Sequence, residues 1–395
     1  MEILIPAASG LEQTVKRQLF KLGYEKTPAD NGRVSLSGDW QDIARLNVFL
    51  RSGERVLLKL AEFPAKTFDE LFDGVYAIEW ENYLTLDSQI LMDGKSVQST
   101  LAAIKVSGGV CKKAIIRRLS DKLKTSKNSR VTFTETGARS IVGISIFKDT
   151  VTVTLDTSGD GLHKRGYRSL ASTAPLKETL AAALIDNTFY NPDADEEKPF
   201  ADLFCGSGTL PIEAALKGLN IAVGKNRQFD FENWKCAPRG ILERAKEEAQ
   251  DKETPNRKLH IFASDLNPKA IEIAKYHAKR AGVEKHIQFR VQDARKFQTQ
   301  EKYGVLLSNP PYGERLSDAA EVQRLMRELF YTYRALPDWN AYIFTALENF
   351  ERYFGKTADK KKKLFNANLT CGLYSYFGKP PKLNDKPRET EKNNR

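Results

Sequence analysis

At 395 residues the chain is long enough for two or three domains, each with a core of its own. Its mean hydropathy of −0.48, with no early basic segment ahead of a long apolar run, argues against a signal peptide and a membrane span, so a cytoplasmic protein is expected. The four cysteines, at 111, 205, 236 and 371, show no CxxC spacing, which speaks against a zinc site or a disulfide framework and leaves no metal expected. The net charge of +11 is informative mainly through its distribution.

Residues 1–62 carry a helical pattern with Leu11, Val15, Leu19 and Leu22 on one face and Gly23 at the exit, flanked by strand-like runs. That pattern predicts a small ferredoxin-like α+β module. From Phe63 to Gly94 seven acids face Lys66 alone, so this stretch is expected to point away from any phosphate backbone. Between Lys95 and Arg139 the balance inverts, with eleven basic residues against Asp121 and Glu135. A helix over 109–124 would turn Ile115, Ile116, Leu119 and Leu123 inward. Its other flank would present Lys113, Arg117 and Lys124 as a face able to track phosphates. The joint Thr157–Arg168 is basic and glycine-rich, which by composition alone is a linker.

From residue 158 the pattern becomes apolar strands alternating with helices, the mark of a parallel sheet. Strands are predicted near 199–204, 259–264, 286–291, 303–308 and 340–346, with a closing antiparallel pair beyond. The first runs into Cys205-Gly-Ser-Gly-Thr209, where Gly206 and Gly208 would let a ligand approach the backbone and the helix start would offer N–H groups to an acidic group. Pro211 replaces the third glycine of a dinucleotide loop, which disfavours a nicotinamide oxidoreductase. Asp265 ends the second strand, placed to accept from ribose hydroxyls, but 57 residues after Gly208 rather than the usual ~20, because a polar insertion occupies 224–256. Within that insertion Phe229, Phe231 and Trp234 read as packing residues. Asp293, near the end of the third strand, could accept from an adenine amino group; for either aspartate a helix cap is the plainer reading. Lys360–Lys363 and the tail beyond Lys379 read as solvated or disordered.

Asn309-Pro310-Pro311-Tyr312 follows the fourth strand. A planar amino nitrogen is a poor nucleophile because its lone pair is delocalised. The Asn309 side-chain oxygen and the Pro310 carbonyl can each accept one of its N–H groups, while successive prolines add no competing donor. Tyr312 would supply a stacking face for a base. The four residues thus suggest methyl transfer to a planar nitrogen, although Asn-Pro-Pro is also a stiff turn in its own right.

Taken in order, DLFCGSGT, SDLNP, VQDARKF and NPPYGER resemble the motifs of class I S-adenosylmethionine methyltransferases. The front half, through GLEQTVKRQLFKLGY, FPAKTFDELFDGVYAIEWENYL, LHKRGYR and APLKETLAAAL, is similar to bacterial THUMP-domain proteins that methylate guanine N2 in large-subunit ribosomal RNA. The resemblance implies a Rossmann-like, seven-stranded α/β domain over about 158–385 and a polar tail over 386–395. Ahead of them it implies the N-terminal module over 1–62 and a THUMP domain over 63–157. It implies S-adenosylmethionine as donor, S-adenosylhomocysteine as product and ribosomal RNA, 23S by analogy, as partner. Asp202, Cys205, Gly206, Gly208, Thr209, Asp265, Asp293 and Asn309 would then line the donor site. Lys177 and Thr179, in a helix expected to begin at Pro175, would meet the donor's methionine end. Lys164, Arg165 and Arg168 would join the RNA path, unless the joint that carries them closes the cofactor site instead. The acceptor pair would equally serve adenine N6 or a glutamine amide, and a catalytically degenerate RNA-binding assembly factor is the alternative from another class.

Overall fold

The computed structural model describes residues 1–30, 32–123, 133–170, 176–193, 198–311 and 319–380. It divides into two compact units, Met1–Arg165 with Ala222–Lys252, and Gly166–Ile221 with the chain from Glu253 onward.

The first unit opens β1 (Glu2–Pro6), α1 (Glu12–Lys21), β2 (Ala29–Asp30), β3 (Arg33–Ser37), α2 (Trp40–Phe49) and β4 (Leu57–Pro64). Leu11, Val15 and Leu19 are buried beneath α1, and Gly23 leaves it at φ +96°. A capping box starts α2, the Asp39 side chain accepting from the Asp42 N–H and Asp42 reciprocating. Next come α3 (Phe68–Ala77), capped in the same way by Thr67 and Glu70, then β5 (Gln89–Val97), α4 (Ile104–Lys122), β6 (Arg139–Phe147) and β7 (Thr150–Asp156). All seven strands form one sheet in the order β2-β3-β1-β4-β7-β6-β5. β4 pairs antiparallel with β1 on one side and β7 on the other, so the ferredoxin-like half and the following half are joined through a shared strand. The β6–β7 hairpin turns at Lys148-Asp149, both at positive φ, a conformation usually left to Asn-Gly. Asp149 offsets the strain locally, since its carboxylate accepts from the Thr100 N–H at 2.7 Å and its N–H donates to Ser99 Oγ at 3.1 Å.

The second unit contains α5 (Glu178–Asp186), β8 (Phe200–Asp202) and α6 (Thr209–Gly218). In chain order α7 (Ile241–Asp251), which belongs to the first unit, follows; β9 (Ile261–Asp265), α8 (Pro268–Arg280), β10 (Ile287–Val291), β11 (Val305–Ser308) and α9 (Ala319–Arg334) come next. The last elements are β12 (Asn340–Thr345), α10 (Phe350–Phe354), β13 (Lys360–Asn366) and β14 (Leu369–Tyr376). The sheet order is β10-β9-β8-β11-β12-β14-β13, parallel except where β14 runs against both neighbours. One face is closed by a core of Leu306, Ile343, Met326, Leu329, Trp339, Phe350 and Phe354. The connections reverse direction between β8 and β11, and in such sheets ligands bind at the carboxyl ends of the strands flanking that switch.

Two expectations change. Lys360–Lys363 are largely solvated, as expected, but not disordered: they open β13, the edge strand, with Lys361 paired to Glu351 at 2.5 Å and Lys362 donating to Asn187 at 3.0 Å. Lysines on an edge discourage pairing with another chain, which is why a strand can hide in a charge run. The insertion, expected within the domain over 158–385, belongs instead to the first unit, where Phe229, Phe231 and Trp234 are packing residues as expected, buried with Ile241 and Leu242 in its core.

Candidate active site

The glycine turn lies between β8 and α6. Gly206 and Gly208 sit at φ +51° and +89°, and Gly208 is the N-cap of α6. The two glycines face different surroundings. A side chain on Gly208 would meet the Cβ of Ala274 on α8 at 3.0 Å, whereas one on Gly206 would project into open space. The turn is therefore held from beneath and open above, as close approach of a ligand requires. It is fastened further by the Gly206 N–H to Asp265 Oδ2 at 2.9 Å and by His277 Nδ1 to the Ser207 carbonyl at 3.1 Å. His277 is wholly buried, and burial holds its imidazole below the usual pKa, so the neutral ring donates from Nδ1.

Asp202, at the end of β8, is buried, accepts the Phe204 N–H at 3.1 Å and lies beside Ser308, whose Oγ accepts from the Leu203 N–H at 2.9 Å. It shapes the loop from inside. Burial pushes its carboxyl up to about 7, offset in part by the Phe204 and Ser308 hydrogen bonds. Because the folded pKa exceeds the unfolded one, the contribution of Asp202 to stability is complete below the ordinary carboxylate range and is lost as pH rises through about 7. Asp202→Asn should accordingly flatten the pH dependence and melt above the wild type on the alkaline side; thermal melts that stay parallel from acid to alkaline pH would disprove this. Cys205 is buried, its thiol pushed well above its usual pKa by burial and then by Asp202, so it supplies no thiolate.

After β11 comes Asn309, whose Oδ1 is buried and has no hydrogen-bond partner among the described residues. A buried amide oxygen left unmatched is costly unless a ligand supplies the donor. Pro310 is buried and Pro311 exposed. Tyr312 lies outside the described residues, as do Lys124 and Pro175.

The other predicted site residues fall into distinct settings. Asp265 accepts from the Gly206 and Asn267 N–H groups, one on each oxygen, and keeps lone pairs for a further donor. Asp293 is more committed: its two oxygens take three contacts from the Arg295 guanidinium and one from the Arg295 N–H, which hold its pKa down. An adenine amino group would have to share that carboxylate. Helix α5 starts at Glu178 rather than Pro175, with Lys177 exposed at its N-cap and Thr179 buried.

The basic residues need more revision. Arg165 is buried and donates to the carbonyls of Leu162 and Arg51, so it is a brace and not a phosphate contact. Arg168 donates to Leu176 O at 2.9 Å and Thr209 Oγ1 at 2.5 Å, which removes it from the RNA path as well. Lys164 remains exposed, 3.4 Å from Asp160. Within the acidic stretch, Glu81 pairs with Arg118 of α4 at 2.6 Å. Arg117 is tied to Asp121 at 2.8 Å and Lys112 to Glu135 at 2.5 Å. Of the predicted cations described on α4, Lys113 and Arg117 are both exposed, Arg117 beside Asp121. Residues that pattern reading missed are Tyr167, Glu178, Glu213 and His277, a polar group beneath the turn whose members lie too far apart in sequence to announce one another. Among the described residues no group of His, Cys, Asp or Glu could hold a metal, and no helix is long and apolar enough to cross a membrane.

This topology, with its glycine turn and acidic strand end at the switch point, defines a class I methyltransferase fold, whose methyl donor is S-adenosylmethionine. Residues 165–375 match the family described as RMKL-like, methyltransferase domain, residues 2–57 the RlmL ferredoxin-like domain and residues 65–156 the THUMP domain; the chain belongs to the RMKL-like family. It is 42% identical over 377 residues to YpsC of Bacillus subtilis, by name an RNA methyltransferase, covering 95% of this chain and 96% of that one. It is 33% identical to the ribosomal RNA large subunit methyltransferase K/L of Psychromonas ingrahamii, covering all of this chain but only 53% of that protein. Among solved structures, one described as a predicted N6-adenine-specific DNA methylase from Listeria monocytogenes superposes with TM-score 0.88 at 45% identity, with 96% of each chain covered. SMU.472, named as a methyltransferase and crystallised with S-adenosylhomocysteine, gives 0.89 at 40%, with 96% of this chain and 99% of that one covered.

Proposed function

We propose that the protein transfers a methyl group from S-adenosylmethionine to the exocyclic N2 of a guanine in ribosomal RNA, 23S by its likeness to the K/L enzymes. The observation that carries the reading is the unmatched, buried Asn309 oxygen at the carboxyl end of β11, next along the sheet from the glycine turn of β8. Asp265 would take the donor's ribose, and the head of α6 its acidic end. Bound there, the donor supplies a methyl carbon already activated by its sulfonium, so the protein's task is in-line positioning. Asn309 Oδ1 and the Pro310 carbonyl would each accept one N–H of the base amine, turning its lone pair toward that carbon. Proton loss follows attack, when the alkylated nitrogen has become acidic, so no strong base is needed.

The test is to incubate the protein with labelled donor and unmodified ribosomal RNA, digest the product to nucleosides and identify the methylated one by mass. N2-methylguanosine supports the proposal. N6-methyladenosine would replace it with the adenine reading that the same acceptor pair allows, and an unlabelled digest would return the protein to an RNA-binding role without catalysis.

In the first unit, Lys113 is the α4 cation of choice for a phosphate contact. Lys113→Ala should weaken RNA binding at all sequences and reduce the slope of log affinity against log salt by about one. An unchanged slope in a salt titration of RNA binding would remove Lys113 from the interface.

A further inference from the structure

We infer that Arg168 is a positioning residue for donor binding, and that its guanidinium sets the spacing between the chain entering α5 and the head of α6. The inference rests on the proposed placement of the donor against the glycine turn. One nitrogen, Nη2, donates both to the Leu176 carbonyl at 2.9 Å and to Thr209 Oγ1 at 2.5 Å. The other, Nη1, lies 3.5 Å from Glu178 Oε1, and both side chains are largely buried, at 18% and 4% exposure. Leu176 is the last residue before the N-cap of α5, and Thr209 is the first residue of α6. One planar cation thus joins two helix starts, and among the described residues no side chain caps either of them.

The segment that carries Arg168 is itself pinned down. Arg280 of α8 donates to the Gly166 carbonyl at 2.9 Å, and the Tyr167 hydroxyl lies 3.3 Å from Glu213 on α6. An arginine that tracks phosphates presents its donors outward; this one turns its two Nη groups onto a carbonyl, a hydroxyl and a buried carboxylate, while its Nε is buried without a partner among the described residues. Accepting from Arg168 also leaves the Thr209 O–H free to donate, which suits an anionic group at the head of α6. Lysine cannot reproduce the arrangement, because a guanidinium is a rigid planar fork and an ammonium a single point on a flexible stem.

The experiment measures S-adenosylhomocysteine affinity by calorimetry, ribosomal RNA transcript affinity by anisotropy, and steady-state rates, for wild type, Arg168→Ala, Arg168→Lys and Asp265→Ala. Arg168→Ala should weaken donor affinity roughly tenfold to a hundredfold and raise the donor KM to match, with kcat at saturating donor within about threefold. RNA affinity should not move, and Arg168→Lys should recover only part of the loss. Intact donor affinity in Arg168→Ala beside a weakened Asp265→Ala overturns this inference alone, and so does full rescue by lysine. Intact donor affinity in both variants overturns the donor placement itself. If loss of the cation beside Glu178 prevents the alanine variant from folding, the lysine variant decides: a donor defect at unchanged melting temperature supports the bridge, and wild-type donor affinity refutes it.

Discussion

Asn309→Ala should lower turnover about a hundredfold to a thousandfold while donor affinity stays within about threefold of wild type. The oxygen removed is buried and makes no hydrogen bond to any described residue, so its deletion breaks no network among them and leaves a small change in packing. What is lost is an acceptor that acts only when an amine stands before it, and an interaction made at the reacting centre appears in kcat rather than in donor binding. Asn309→Asp keeps an acceptor oxygen in the same place and should retain more activity than the alanine variant. Single-turnover rates at saturating RNA, together with calorimetric titration of S-adenosylhomocysteine, separate the two quantities. Donor binding lost in step with turnover would make Asn309 part of the donor pocket; turnover preserved would remove it from the acceptor site.

How much of this could be read from the sequence depends on how local each signal is. The glycine turn, the aspartate ending β9 and the Asn-Pro-Pro run are short, contiguous and set by backbone demands, so their residue types reveal them. The class I sheet was legible for a similar reason, since each parallel strand is a short apolar run with a helix after it. The support beneath the turn was not legible. His277 reaches Ser207 across 70 positions and Arg168 reaches Thr209 across 41, and nothing in the composition of either neighbourhood tells an internal brace from a solvated charge. Arg165 and Arg168 show the resulting error plainly: in a basic, glycine-rich stretch they look like phosphate ligands, whereas folding turns them onto carbonyls. Charge counted along the chain does not show which charges meet: Glu81, in the short turn Trp80–Asn82 after α3, pairs with Arg118 of α4. The closing antiparallel pair was legible, but the start of β13 was not, because an edge strand needs only one buried face and four lysines in a row erase the alternation that would mark it.

The insertion leads to the second large effect. Residues 1–165 expressed alone should fail to fold cooperatively, and joining residues 222–252 to them through a flexible linker should restore a sharp thermal transition. Family boundaries suggest otherwise, because the ferredoxin-like and THUMP matches both end before residue 157. The packing is what decides. Phe229, Phe231 and Trp234 are at most 4% exposed, and they complete the same core as Ile43, Leu46 and Trp80. Emptying one buried aromatic site costs about 3–5 kcal/mol. A domain is stable by only about 5–15 kcal/mol. Losing three such side chains together with Ile241 and Leu242 therefore exceeds the margin. Two ion pairs would be lost as well, Arg45 to both oxygens of Glu248 at 2.7 and 2.8 Å and Arg139 to both oxygens of Asp230 at 2.8 and 2.9 Å. Arg45 holds the Glu248 carboxyl down at about 2, so its share of the stability is full above the ordinary carboxylate range and is lost progressively as pH falls from there through about 2. Circular dichroism melts and size-exclusion profiles of the two fragments decide the matter. A short fragment that melts as sharply as the longer one, at a similar temperature, would mean that the first unit folds without the chain that returns to it, and RNA binding could then be studied on residues 1–165 alone.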